Sequence, residues 1–373
     1  NKNFNPLKEP CAMPDYSDKI VYVGIDVHKK TYAVTCIVDK DRVKKDTLEA
    51  SPEGLVSYLK KHFGTAKQII SAYEAGFSGF GLHRHLVKNG IENLVVHAGS
   101  IEISSRDRVK TDKRDSLKLA VQLSTERLKC IHIPSEEREA ARELTRLRES
   151  LARDKRRIGN QLKSLLMKHS LLVKDDDKKI SLKWLKKIET LECDSSIKYV
   201  LQIHIDRWRS LREELKKLDA ELDRQAQTDE ALESIYRSAP GIGKLHARVL
   251  ANELGDMKQF SNEKKLSSFT GLTPCEYSSG DHIRQGHISR QGRPLLRKVL
   301  IQAAWVAVRQ DQSIKIIFER LSNNCGVKRA IIGVARRLIC RIRSCFISNT
   351  LYQKQPFEEI CKESGEIRLV ATA

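Results

Sequence analysis

Short apolar runs separated by brief polar turns dominate the chain from Lys19 to about Ala98. "IVYVGIDV", "TYAVTCIV" and "RVKKDTLEA", joined at His28 to Lys30 and at Asp39 to Asp41, predict three strands in an antiparallel meander. The period then lengthens: Ser51 offers a cap to "SPEGLVSYLKKHF", where Leu55, Tyr58 and Leu59 recur at helical spacing. "KQIISAYEA" predicts a fourth strand, "GFGLHRHLVKNG" a short helix ended by Gly90, and "ENLVVHA" a fifth strand, with another helix starting near Thr111.

The order β-β-β-α-β-α-β is that of a ribonuclease H-like (RuvC-like) domain. From about Pro134 to Asp229 the pattern becomes charged helix. Leu144, Leu147, Leu151, Ile158, Leu162 and Leu165, then Ile205, Trp208, Leu215, Leu218 and Leu222, recur at three- and four-residue steps. These predict two long helices, broken around "VKDDDKK", that pack as an antiparallel hairpin or as a coiled coil between subunits. Their outer face carries Arg153, Lys155, Arg156, Arg157, Lys216 and Lys217, read equally as a solvated face or a phosphate-tracking one. The last third is mostly helical. The expected fold class is therefore α/β plus all-α, divided into a tail (1–17), a RuvC-like domain (18–130), a helical coiled-coil linker (131–229), a C-terminal domain (230–350) and a second tail (351–373).

Charge narrows the choice of partner. Lys plus Arg is 68 against 48 for Asp plus Glu, a formal net charge of +20. Such a surplus favours nucleic acid, because each phosphate neutralised releases condensed counterions. A membrane partner is disfavoured by the lack of a lipid anchor or an apolar run of membrane length. The nine cysteines form no CxxC pair or zinc-like spacing, and the start "NKNFNPLKEPCAMPDYSDK" lacks the apolar core of a signal peptide. Reduced thiols in a cytoplasmic, nucleoid-associated protein are the expectation.

Within "RDRVKTDKRDSLKLA", Asp112 and Asp115 stand among six cations. Helix-start chemistry is one account: a Thr111 cap, Asp112 near the positive end of the helix dipole, and Asp115 paired with Lys118 or Arg114. The other is a divalent-metal site acting on a polyanion. Asp26 closes the first strand and Glu74 the fourth, so on this fold four acids would meet at one end of the sheet, an arrangement suited to two divalent ions. An actin-like ATPase reading of "GIDVHKKT" is weak, since its phosphate-binding turn requires glycine and the turn here is His28-Lys29-Lys30.

Further on, Pro240-Gly241-Ile242-Gly243, followed by Lys244, is similar to the turn of a helix-hairpin-helix, whose glycines expose backbone amides to a DNA phosphate. A glycine-rich loop with Arg284, Arg290, Arg293 and Arg297 follows. It carries Ser278, Ser279 and Ser289, and spacing alone names no nucleophile among them.

The ordered set "YVGIDVHK", "YEAGFSG", "KTDKRDS", "PGIGKLHARVLANELGD" and "FTGLTPCEYSSGDHIRQGHISRQG" resembles the DEDD transposases of bacterial insertion sequences, the IS one-ten family with its eleven-eleven branch, to which the Piv-type invertases are related. The likeness covers most of residues 18 to 345. It implies an acidic tetrad at Asp26, Glu74, Asp112 and Asp115 binding Mg²⁺, or Mn²⁺ in its place, and a nucleophilic serine at Ser279 before Gly280, with Ser278 adjoining. It also implies DNA cleavage and rejoining through a serine-phosphate intermediate, donor and target DNA, a noncoding guide RNA, and a composite centre in a dimer or dimer of dimers. The alternative is a metal-dependent RuvC-like endonuclease, a junction resolvase that uses water as its nucleophile.

Overall fold

A computed structural model describes residues 15–101, 112–171, 180–277 and 285–354, with the side chains of residues 100, 112, 113 and 285 outside that set. The chain divides into two compact units, Asn1–Ile133 and Pro134–Ala373.

In the N-terminal unit, β1 (Ile20–Val27), β2 (Thr31–Val38) and β3 (Asp41–Glu49) form the expected meander. They are followed by α1 (Pro52–Phe63), β4 (Gln68–Glu74), α2 (Gly81–Lys88), β5 (Glu92–Val96) and α3 (Asp112–Ser124). The five strands lie in the order β3-β2-β1-β4-β5, antiparallel through β1 and parallel from β1 to β5. Helix α1 starts where the sequence places it: Ser51 accepts a hydrogen bond from Gly54 N–H at 3.0 Å, with Pro52 in the first turn.

Alternation along the strands decides what each face of the sheet buries. Val23, Ile25, Val34 and Tyr73 pack with Leu55, Leu59 and Leu86 of α1 and α2. Gly24, Asp26 and Thr35 alternate to the other face, where α3 lies across β1, β2 and β4. The helix can dock so closely only because position 24 is glycine: an added Cβ would lie 2.0 Å from the Ser116 carbonyl oxygen and 2.5 Å from the Ala120 nitrogen. Thr35 Oγ1 and Ser116 Oγ share a buried hydrogen bond of 2.9 Å at the crossing.

In the C-terminal unit, α4 (Glu136–Lys168) and α6 (Ser195–Thr228) pair within one chain. Arg148 near the start of α4 meets Asp219 near the end of α6, while Ile158 and Leu162 share a core with Leu201, Ile205 and Trp208, so the helices run antiparallel. The structure thus holds the hairpin arrangement of the two expected. The stretch "VKDDDKK" lies outside the described residues. An additional helix, α5 (Leu182–Glu189), starts at a Ser181 cap and packs Trp184, Leu185 and Ile188 into the same core. The remaining helices are α7 (Glu230–Ser238), α8 (Lys244–Leu254), α9 (Glu263–Thr270), α10 (Pro294–Gln310), α11 (Gln312–Cys325) and α12 (Val327–Ser348). A short hairpin, β6 (Pro274–Glu276) and β7 (Gln285–Ile288), interrupts them. Their core includes Tyr236, Leu250, Leu300, Ala303, Val334 and Leu338. Among the described residues no helix is long and apolar enough to cross a membrane, and the seven described cysteines are free.

Candidate active site

Parallel pairing of β1 with β4 sets Ile25 opposite Tyr73, so one step further Asp26 and Glu74 follow at neighbouring positions. Adjacent strands lie about 4.8 Å apart, which brings the two acids side by side at the carboxyl end of the sheet. Both follow the alternation to the face covered by α3. The Asp26 side chain is 21% exposed and its Oδ2 lies 3.2 Å from His28 Nε2. Glu74 is exposed. The turn after β1 adds two exposed cations, Lys29 and Lys30, at this end of the sheet.

Asp115 adjoins the buried crossing residue Ser116 and is 25% exposed, its Oδ1 3.6 Å from Lys118 Nζ. The Asp115–Lys118 pairing expected from helix spacing is therefore present. Position 112 opens α3, one turn ahead of Ser116. Asp26 and Glu74 are brought together by strand register, and Asp115 lies on the helix docked over the same face. Among the described residues no group of three or more His, Cys, Asp or Glu side chains is gathered tightly enough to hold a metal ion, so Asp115 does not close such a cluster with the two strand acids.

Comparison with known proteins shows the family of the chain. A model for transposases of the DEDD IS110 type matches residues 23–170, and one described as the transposase IS116/IS110/IS902 family matches residues 233–318. The chain belongs to this transposase family. Its relatives include the transposase for insertion sequence element IS1533 of Leptospira borgpetersenii, 28% identical over 341 residues that cover 87% of this chain and 95% of that protein. The transposase for IS1328 of Yersinia enterocolitica is 22% identical over 89% of this chain and 94% of its own length. That for IS1111A of Coxiella burnetii is 25% identical over 61% of this chain and 64% of its own.

The first IS110-family match spans Asp26, Glu74, Asp112 and Asp115; the second spans the glycine turn and the serine loop. Ser278, Ser279, Gly280 and Arg284 lie outside the described residues, but the base of their loop is described. Gly271, at φ +67°, and Gly292 touch backbone to backbone: a Cβ on Gly292 would lie 2.1 Å from the Phe269 carbonyl oxygen. Ser289 N–H donates to Thr273 O at 2.8 Å, and the Arg297 guanidinium donates to the carbonyls of Gly292 and Arg290. Burial, and next the charge of Arg290, hold Arg297 below its ordinary pKa. Arg297 thus buttresses the loop, whereas Arg290 and Arg293 are exposed.

Between α7 and α8, Gly241 adopts φ +78° and sits against α10, where a Cβ would lie 2.5 Å from the Ala303 carbonyl oxygen. Gly243 and Lys244 are exposed at the start of α8, and an added Cβ on Gly243 meets nothing within 4 Å. The turn borders a depression of about 430 Å³ lined in part by Arg237, Gln310 and Lys354.

Sequence reading missed the arginines that join α4 to α8. Arg138 donates to Ala251 O, Arg142 to the carbonyls of Asn252 and Glu253, and Arg146 to the Glu253 carboxylate at 3.0 and 3.3 Å. Their four-residue spacing was the available signal, because it places all three on one helix face. Lys155, expected on the outer face, instead holds its ammonium 4.8 Å from the centre of the Trp208 ring.

Proposed function

We propose that the chain cleaves and rejoins DNA strands as an insertion-sequence transposase, with Asp26, Glu74, Asp112 and Asp115 as its acidic centre and Ser279 as its nucleophile. The observation that carries this reading is the register that sets Asp26 beside Glu74 at the end of the sheet, under the helix that bears the other two acids. Carboxylate oxygens are the donors that suit Mg²⁺, or Mn²⁺ in its place, and the described acids are reached by solvent. Asp26, Glu74 and Asp115 do not close a metal cluster by themselves, so Asp112, whose side chain lies outside the described residues, would complete the set. Held by these four residues, the ions would supply electrostatic stabilisation of the phosphate oxygens in the transition state.

The chain's own residues divide the rest of the work. As the Ser279 Oγ–P bond forms, the serine gives up its proton, and the released sugar oxygen takes one up. Attack by a sugar hydroxyl of the exchanging strand then breaks the Oγ–P bond and returns a proton to the serine. Arg284, Arg290 and Arg293 stabilise the charged phosphorane, and Gly280 permits close approach of the DNA backbone. Gly241, Gly243 and Lys244 act as a helix-hairpin-helix-like phosphate contact, with the exposed start of α8 supporting that use. The partners are donor and target DNA, a noncoding guide RNA and further copies of the chain.

The test is a denaturation-resistant protein–DNA adduct, sought with copurified RNA and DNA flanking the gene. Wild-type protein and Ser278→Ala form it; Ser279→Ala does not. Normal cutting with no adduct from any of these proteins would establish the water-using endonuclease instead.

A further inference from the structure

Phe77 is 72% exposed, three residues beyond Glu74. Its loop is fastened on both sides. Ala75 N–H donates to Val96 O at 2.7 Å, Gly79 N–H donates to Gly76 O at 3.4 Å, and Tyr73 OH donates to Gly79 O at 3.0 Å. The neighbouring Phe80 behaves as ordinary apolar residues do, half-buried against the core of the unit, with the Arg84 guanidinium 6.0 Å from its ring. One aromatic of this loop is therefore tucked in while the other is held out in water by hydrogen bonds on either side.

The place matters as much as the exposure. Strands β1, β4 and β5 are parallel, so Phe77, Asp26, Glu74 and the exposed Lys29 and Lys30 all lie at the carboxyl end of the same sheet. The net charge of +20 favours a polyanionic partner, and Lys29 and Lys30 supply exposed cations at this end that can hold its phosphates. An aromatic ring beside them suits the one apolar surface a nucleic-acid strand offers, the face of an unpaired base.

We propose that Phe77 stacks on an unpaired base next to the phosphate handled by Asp26 and Glu74, and so positions the strand. The inference rests on the preceding reading of those acids. Stacking is indifferent to base identity, since every base has a π-face, so Phe77 fixes register along the strand without selecting sequence.

Two single-stranded probes of equal length separate stacking from charge: a fluorescein-labelled oligothymidylate, and an abasic oligomer with the same number of phosphates. Phe77→Ala weakens binding to the oligothymidylate about 5- to 100-fold. It leaves binding to the abasic oligomer and the slope of affinity against salt unchanged, and Phe77→Trp restores affinity. Phe77→Trp also shows fluorescence quenching, beyond that of wild type, with the oligothymidylate and none with the abasic strand. Equal affinities of Phe77→Ala and wild type for the oligothymidylate, or equal losses on both probes, would overturn the proposal. Cutting by Glu74→Ala, measured in parallel, reports separately on the acidic centre: normal cutting there removes the catalytic reading, whereas loss of cutting with no base-dependent effect at Phe77 removes only the stacking.

Discussion

In the C-terminal unit Glu233, Glu253 and Asp311 are 4%, 2% and 1% exposed, and each faces arginine. Arg248 meets Glu233 at 3.3 Å, Arg146 meets Glu253 at 3.0 Å, and Arg341 lies 3.8 Å from Asp311. In the N-terminal unit Glu74 is exposed at a strand end, and Asp26 and Asp115, at a strand end and on a helix face, are partly exposed, with His28 near the one and Lys118 near the other. The contrast separates acids that hold a fold together from acids left accessible to a ligand. A buried carboxylate committed to arginine has little left to offer a metal, and a strand-end carboxylate has little part in packing.

The comparison breaks first if Glu253 proves dispensable for folding. Glu253→Ala removes the buried carboxylate that faces Arg142 and Arg146, which keep backbone carbonyls and Glu143 respectively, and should cost about 3 kcal/mol in urea unfolding, the low end for a broken buried pair. Gly24→Ala comes next, at about 3 kcal/mol, because its methyl group collides with the backbone of α3. A thermal midpoint equal to that of wild type would show that α3 does not dock as described.

Asp311→Asn should cost about 2 kcal/mol at neutral pH. Burial pushes the Asp311 carboxyl up, but hydrogen bonds from Ser313, Tyr352 and the Ile314 N–H, together with Arg341, outweigh it and hold the pKa below the ordinary value. A lowered folded pKa contributes stability that is present above the unfolded value of about 3.9 and is lost as pH falls through the folded one. The gap between wild type and Asp311→Asn should therefore close on acidification, and a gap that widens contradicts the assignment. Smallest of all, Asp115→Asn should shift stability by less than about 0.5 kcal/mol, since it loses only a partly exposed pairing.

The succession of strands and helices in the N-terminal unit was readable because alternation and polar turns are local signals; Glu74 is the last residue of its strand and Asp26 the last but one. Contacts distant in sequence were not readable. Nothing near Gly241 announces that α10 lies against it, and nothing near Arg297 announces that it braces Gly292 and Arg290. Lys155 looked like its charged neighbours until the antiparallel pairing of α4 and α6 put Trp208 beneath it. Helix α5 was overlooked because eight residues carry little periodicity; its Ser181 cap and the spacing of Trp184, Leu185 and Ile188 were its only marks. Phe77 stands within "YEAGFSG", yet exposure, which the sequence does not state, is what distinguishes it from Phe80.

The most direct test of the acidic centre is strand cleavage by Asp26→Ala and Glu74→Ala at millimolar Mg²⁺, measured beside their thermal midpoints. The account predicts that both variants melt with wild-type protein and cut no DNA. Cleavage at the wild-type rate by either variant, with folding intact, would contradict it.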